Sequence, residues 1–183
     1  MFRVPCFMTY RTLGVVLSRR DVHERDRLYT IYTAQYGRVE ALAKGARKIQ
    51  SKLAGAMEVP GIVDVLLARG AFFERLAGTQ LTEFFTGIYG QPERLEHARA
   101  ALLLTEHLTR PDIRDDRIFI LLASYLRGLN AAEPPQFREF VLRLLSFLGF
   151  ISMQEAAKSR AVLQETLPDH VPVALREFVV GRL

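Results

Sequence analysis

The chain is 183 residues long, with 49% hydrophobic and 25% charged residues and a formal net charge of +5. These proportions are ordinary for a globular protein whose length allows one large core or two small cores packed together. No run of uncharged apolar residues is long enough to span a membrane, and the N-terminus lacks the pattern of a secretory signal, so we expect a cytoplasmic protein. Cys6 is the single cysteine, which excludes an intrachain disulfide and a cysteine-based zinc cluster.

The positive charge is concentrated in the first half of the chain. Residues 1–82 hold 13 Lys or Arg against 7 Asp or Glu, whereas residues 83–183 hold 12 against 13. Such an uneven distribution favours an anionic partner for the charged half.

The first half carries the short alternating segments that are typical of β-strands. Val39, Ala41 and Ala43 alternate with polar or larger neighbours, and the segment before them is apolar on both of its faces, as in a curled sheet. Gly14 predicts a bulge or kink in the first strand. Five strands of this kind predict a small barrel of the OB type. They are expected at residues 9–17, 27–35, 38–45, 57–68 and 72–83.

The second half has the three- and four-residue spacing of helices. Pro92 suits the start of the first helix and Pro111 ends it. Further helices are predicted at about residues 115–129, 134–149, 153–166 and 172–181. The fold class is therefore α+β, with a five-stranded OB-fold barrel at 1–83 followed by an all-helical domain at 84–183. The junction FFTGIYGQ is apolar, which predicts that the helical domain is docked on the barrel.

Motifs of catalysis are missing from the sequence. It contains neither a Walker phosphate loop, nor a GxSxG elbow, nor an HExxH zinc motif. The four histidines are scattered, and we interpret His97 and His107 as surface residues of a helix. We therefore expect a protein that is not an enzyme and that needs no cofactor.

Three carboxylates, Asp21, Glu24 and Asp26, are close enough in sequence to be considered as metal ligands. Arginines are interleaved with them, and their guanidinium groups would neutralise the carboxylates and compete with a bound cation. A turn of mixed charge between two strands is the simpler interpretation, and we predict no metal site.

Cationic residues of the first half form a more coherent set. Some lie on strand 1, in the following turn and at the start of strand 2, and the others lie in the loop after strand 3, within ALAKGARKIQSKLAG. In a small barrel such loops converge at one rim, where spaced positive charges can follow a phosphodiester backbone. We therefore predict DNA contacts for Arg11, Arg19, Arg20, Arg25, Arg27, Lys44, Arg47, Lys48 and Lys52. Tyr10, Tyr29, Tyr32 and Tyr36 offer stacking faces, although packing within the barrel is the favoured interpretation for any one of them.

The first sixty residues resemble the N-terminal domain of the bacterial recombination mediator RecO. The resemblance is carried by a Gly-Val-Val-Leu strand, a basic turn with Asp and Glu, a Thr-ending strand, a glycine turn, and an Ala-Lys-Gly-basic loop. The matching residues are Gly14-Val15-Val16-Leu17, Arg20-Asp21, Glu24, Asp26-Arg27-Leu28, Thr33, Gly37, Ala41-Leu42-Ala43-Lys44-Gly45, Arg47-Lys48 and Ser51-Lys52-Leu53. Later in the chain, Leu144-Leu145 through Phe147-Leu148-Gly149-Phe150 is the best further match.

This resemblance implies an OB-fold domain followed by a helical domain and a non-enzymatic role in DNA repair and recombination. It implies binding of single- and double-stranded DNA, strand annealing, and help in loading recombinase. The implied partners are a RecR-type protein and the C-terminal tail of single-stranded-DNA-binding protein, and the implied location is near the nucleoid. Many relatives carry a four-cysteine zinc element after the Leu-Gly-aromatic point, whereas no cysteine follows it here. We therefore expect a short form that lacks this element.

A protein-interaction adaptor is the alternative, in which the basic surface binds an acidic protein rather than DNA. Arg127, Arg138 and Arg143 lie beside the apolar stripes of the second and third predicted helices. They are candidates for receiving an acidic and hydrophobic peptide. The same arginines also fit an ordinary solvent-facing position on a helix.

Overall fold

The computed structural model describes residues 8–22, 24–46, 57, 60–152 and 166–182. Five strands close into a barrel in the order β1-β2-β3-β5-β4, which confirms the predicted five-stranded architecture. The strands are β1 Thr9–Asp21, β2 Arg27–Thr33, β3 Gly37–Ala43, β4 Gly61–Ala68 and β5 Glu74–Phe84.

Strand β1 is long because it pairs with two neighbouring strands. Its first half pairs antiparallel with β4, beginning with Thr9 opposite Ala68, and its second half pairs antiparallel with β2, ending with Asp21 opposite Arg27. The barrel closes between β3 and β5, which run parallel and share only two paired positions. This β3–β5 seam is the shortest contact between neighbouring strands of the barrel.

The strand interiors follow the sequence pattern closely. Val39, Ala41 and Ala43 point into the barrel core. In β2 the alternate residues divide between two cores, since Ile31 packs inside the barrel while Tyr32 packs against the helices. Both faces of β2 are therefore buried, which explains why neither face is polar in the sequence.

Several strand details differ from the sequence-based expectation, including the bounds of β1, β2 and β5. The irregularity in β1 lies between Val16 and Ser18 rather than at Gly14. Gly14 is instead a point of close packing, because a Cβ atom there would lie 2.5 Å from the side chain of Ile31. Strand β4 starts later than predicted, after Pro60, which has no N–H to donate to a strand ladder.

The second half is helical, as predicted. The helices are α1 Thr86–Tyr89, α2 Pro92–Leu108, α3 Asp116–Asn130, α4 Phe137–Phe147 and α5 Val173–Gly181. The short α1 was not anticipated, and the helix expected at 153–166 lies, except for its last residue, outside the described residues. In the described part of the chain, no helix is long and apolar enough to cross a bilayer.

The helices pack on the barrel through a shared core. Val15, Leu17 and Ile62 of the barrel belong to the same buried cluster as the inward faces of α2, α3 and α4. Polar contacts reinforce this packing: the Ser18 hydroxyl donates to a carboxylate oxygen of Glu106 at 2.7 Å. The two halves are therefore joined by a continuous apolar layer.

One ion pair joins the end of β5 to the end of α3. The Arg127 guanidinium donates to both carboxylate oxygens of Glu83, at 2.8 and 2.5 Å. The hydrogen bonds from Arg127 lower the pKa of Glu83 below its ordinary value of 4.5. A carboxyl group whose pKa is lowered in the folded state stabilises the fold above its unfolded pKa, and this stabilisation is lost as the pH falls through the folded value.

We therefore expect Glu83→Gln to lower the free energy of unfolding at neutral pH by about 0.2–1 kcal/mol, the range of exposed ion pairs. The difference from the wild type shrinks as the pH falls below 4.5 through the folded-state pKa. Urea denaturation at neutral and acidic pH measures both values. An equal difference at both pH values would contradict a role for the Glu83 charge.

Candidate nucleic-acid interface

Four exposed cations meet at one end of the barrel and form what we call the basic rim. The rim consists of Arg19, Arg20, Arg25 and Lys44. Strand pairing brings them together, because the end of β1 lies beside the start of β2, and the start of β2 lies beside the end of β3. The β1–β2 turn also binds the next loop directly: the Gly45 N–H donates to the Asp26 carboxylate at 2.8 Å.

The rim also has acidic neighbours. Arg20 lies 3.9 Å from the carboxylate of Glu40, a surface pair of little energetic weight. Arg27 was predicted to contact DNA with these residues, but its guanidinium is half-buried and donates to Asp21 at 2.9 Å. Arg27 thus joins the end of β1 to the start of β2 through its ion pair with Asp21.

Arg11 lies elsewhere on the barrel. Arg11 stands opposite Leu66 in the half of β1 that pairs with β4, and it forms an ion pair with Asp64 at 2.8 Å. That carboxylate raises the pKa of Arg11, and the arginine is not part of the basic rim. Arg47, Lys48 and Lys52 lie outside the described residues.

Two of the three carboxylates of the β1–β2 region have structural partners, and the third, Glu24, is exposed. Asp21 pairs with Arg27, and Asp26 accepts the Gly45 N–H. Among the described residues, no group of three or more histidine, cysteine or acidic side chains is arranged to hold a metal ion.

The four tyrosines divide into two pairs with different surroundings. Tyr29 and Tyr32 are fully buried, and burial raises the pKa of Tyr32 to about 12. Tyr10 and Tyr36 lie nearer the surface, with their ring centroids 4.3 Å apart. Of the two pairs, the second is the one that presents an aromatic face near solvent.

A cavity beside this tyrosine pair was not foreseen from the sequence. It has a volume of about 590 Å³ and lies between the β2–β3 turn, the β4–β5 loop and the loop joining α2 to α3. We call it the aromatic cavity. Its walls include Tyr10, Tyr36, Arg38, Arg69, Phe72 and Arg114. The available sequence signal was the pair Phe72-Phe73, two large apolar rings that were predicted to begin strand 5, whereas β5 begins at Glu74.

Arg38 fixes one wall of the aromatic cavity. Its guanidinium Nη1 donates to the main-chain carbonyl of Glu106, and its own carbonyl accepts the Asp112 N–H at 3.0 Å. The loop after α2 is therefore tied to strand β3, so the cavity belongs to both halves of the molecule.

The three arginines considered for peptide binding do not converge. Arg127 is engaged by Glu83, and Arg143 pairs with Glu139 at 2.6 Å on its own helix. Arg143 lines a groove of about 310 Å³ between α3 and α4, whereas Arg127 and Arg138 are not among the residues that line it.

His97 differs from its expected place on the surface. Its ring is half-buried and stacks on Phe137 with centroids 5.2 Å apart. Burial lowers the pKa of His97, which keeps the ring neutral as a packing element between helices. The spacing of apolar residues around it did not reveal this, because α5 supplies part of the enclosure through Phe178.

Family comparisons cover both halves of the chain. Residues 8–85 match the family described as Recombination protein O N terminal, and residues 90–158 match Recombination protein O C terminal. A search of solved structures gives a crystal structure of TiaS in complex with a transfer RNA, AMPCPP and agmatine. Its TM-score is 0.36, with 22% identity, 42% of this chain and 19% of that chain covered. That similarity is too weak to support an argument.

Curated relatives agree with the family matches. The DNA repair protein RecO of Roseiflexus sp. (strain RS-1) is 34% identical, over 90% of this chain and 59% of the relative. The protein of the same name from Geobacter metallireducens is 31% identical, over 85% of this chain and 65% of the relative. That of Dehalococcoides mccartyi (strain CBDB1) is 27% identical, over 89% and 66%. The chain thus spans roughly three fifths to two thirds of the length of these relatives.

Proposed function

The chain belongs to the recombination protein O family, and on that premise we propose that it is a non-enzymatic DNA-binding mediator of recombinational repair. The observation that supports DNA binding most directly is the basic rim. Four exposed cations lie on three neighbouring segments of the barrel, at the end where Gly45 and Asp26 join the loops. The relatives are named DNA repair proteins, which fits a polyanionic partner.

The rim binds phosphates rather than bases. Arginine and lysine on loops neutralise the backbone charge and release counterions, which gives affinity without sequence preference. Arg47, Lys48 and Lys52 follow Lys44 in the sequence and are proposed to extend this contact. A surface of this kind lowers the repulsion between two complementary strands, so it promotes annealing.

The wider role comes from the family and is part of the proposal. It includes assistance to recombinase loading, contact with a RecR-type protein and contact with the C-terminal tail of single-stranded-DNA-binding protein. The groove between α3 and α4 supports a peptide-binding role, since Arg143 lies beside its apolar wall. Arg127 is a poorer candidate for that role, because Glu83 already occupies its guanidinium.

Charge removal tests the rim. We expect the triple variant Arg20→Ala, Arg25→Ala, Lys44→Ala to lower affinity about tenfold or more and to reduce the log–log salt slope on single strands by about 2. The measurement is fluorescence anisotropy with labelled single-stranded DNA over a range of salt concentrations. The matched control is Arg99→Ala, Arg138→Ala, Arg143→Ala, which removes the same charge from the helical half and leaves the slope unchanged.

Annealing provides the functional readout. The wild type should accelerate pairing of complementary strands, both naked and coated with single-stranded-DNA-binding protein, and the rim variant should lose this acceleration. A rim variant with unchanged affinity and salt slope would remove the rim from the interface. Direct binding of an acidic peptide, with no binding of DNA, would favour the adaptor role.

A further inference from the structure

We propose that the aromatic cavity receives one unpaired nucleobase of a bound single strand, while the basic rim holds the neighbouring phosphates. The inference rests on the proposed DNA binding, and it adds a base-binding subsite to a phosphate-binding surface. Duplex DNA keeps its bases stacked and paired, so the cavity would distinguish single strands from duplexes.

Exposed aromatic surface is the first observation. The Phe72 side chain is 93% exposed, the highest value among the large apolar residues that the structure describes as exposed. Phe72 lines the same cavity as the Tyr10–Tyr36 pair, and Tyr36 is 38% exposed. Leaving a phenylalanine ring in water has a free-energy cost, and stacking on the flat face of a base would recover it.

The polar groups of the cavity match a nucleotide better than an apolar ligand. Arg69 and Arg114 are exposed cations on its walls, whereas Glu40 and Glu74 supply carboxylate acceptors. Burial and the neighbouring Glu74 carboxylate raise the pKa of Tyr10, so its phenol keeps its proton and can donate a hydrogen bond. Arginines are suited to the sugar–phosphate side of a nucleotide and carboxylates to the exocyclic amino groups of bases.

The volume of the aromatic cavity and its distance from the basic rim also fit a site for one nucleobase. A volume of about 590 Å³ lies within the range of about 300–1,000 Å³ that is usual for small-molecule sites. Glu40 connects the two surfaces, since it lines the cavity and pairs with Arg20 of the rim. The paired positions Arg19, Tyr29, Ala41 and Glu74 run across four strands. At about 4.8 Å per strand, the rim and the cavity are about 14 Å apart along the sheet.

Removal of the Phe72 ring tests the cavity. In the full chain, we expect Phe72→Ala to weaken binding of a short single-stranded oligonucleotide about 5- to 150-fold, the range for one stacked base. Binding of the same sequence as a duplex should not change, nor should the salt slope. An abasic strand of equal length should bind the wild type as weakly as the intact strand binds Phe72→Ala. A strand carrying 2-aminopurine should be quenched on binding by the wild type and by Phe72→Tyr, but not by Phe72→Ala.

The matched control is Phe84→Ala, which removes another exposed phenylalanine, one that stacks on Tyr89 outside the cavity. It should bind all three DNA forms like the wild type. Wild-type affinity of Phe72→Ala for the intact strand, or an equal loss for duplex and abasic strands, would overturn the base subsite and leave the proposed function intact. A wild type that binds none of the three DNA forms would overturn both.

Discussion

Gly37→Ala is expected to lower the free energy of unfolding by about 2–5 kcal/mol, the sum of backbone strain and steric overlap. Gly37 begins β3 with φ at +69°, in the left-handed region that side chains disfavour. A Cβ atom there would lie 2.1 Å from the main-chain oxygen of Ile113. The obstacle is backbone, so rotation of a flexible side chain cannot relieve it. The loop between α2 and α3 must move away from the barrel, and with it a wall of the aromatic cavity.

Two other glycines separate the causes of this loss. Gly149 has a φ of +78° but no neighbouring atom within 4 Å of an added Cβ, so Gly149→Ala should cost only the strain of about 1–2 kcal/mol. Gly90 lies in the right-handed region with open space around it, and Gly90→Ala should be neutral. Urea denaturation of the three variants gives the comparison. Equal losses for Gly37→Ala and Gly149→Ala would show that the loop does not press on Gly37.

Tyr32→Ala is the second large effect, with an expected loss of about 3–5 kcal/mol, the range for deleting a buried aromatic ring. Tyr32 is fully buried in the layer shared by barrel and helices. Its hydroxyl donates to the main-chain carbonyl of Asp115 at 3.1 Å, the N-cap residue of α3. Deleting this side chain leaves a void at the interface and releases the start of a helix.

The variant Tyr32→Phe separates packing from hydrogen bonding. It keeps the ring and removes only the hydroxyl, so we expect a loss of about 0.5–1.5 kcal/mol. Thermal and urea unfolding, followed by far-ultraviolet circular dichroism, measure both variants. If Tyr32→Ala lost no more than Tyr32→Phe, the ring would not be a structural part of the interface.

Most of the strands and helices could be predicted from the local spacing of apolar residues. The alternation of Val39, Ala41 and Ala43 predicted the inward face of β3 correctly, because a residue's side in a strand depends only on its parity. The two faces of β2 were likewise interpreted as those of a curled sheet, and the structure buries both of them. The reason became visible only in three dimensions, where Tyr32 meets the helices and Ile31 meets the barrel core.

Less of the candidate site than of the fold could be predicted from the sequence. The basic rim follows from strand pairing between segments that are close in sequence, and that is why Arg19, Arg20, Arg25 and Lys44 were among the predicted residues. The aromatic cavity joins β1, the β4–β5 loop and the loop after α2. No short-range pattern links Phe72 to Tyr10 or Arg114. Composition also gives no indication of which ion pairs form, so the internal partners of Arg27 and Arg127 were unforeseen.

The shared apolar layer has a consequence for attempts to divide the protein. A fragment cut after β5 would expose Val15, Leu17, Tyr32 and Ile62 to water on one continuous face. Such a face favours self-association over independent folding. We therefore expect the barrel and the helices to melt in a single cooperative transition. The isolated barrel would then be a poor substitute for the whole chain in binding assays, because self-association through this apolar face would compete with folding.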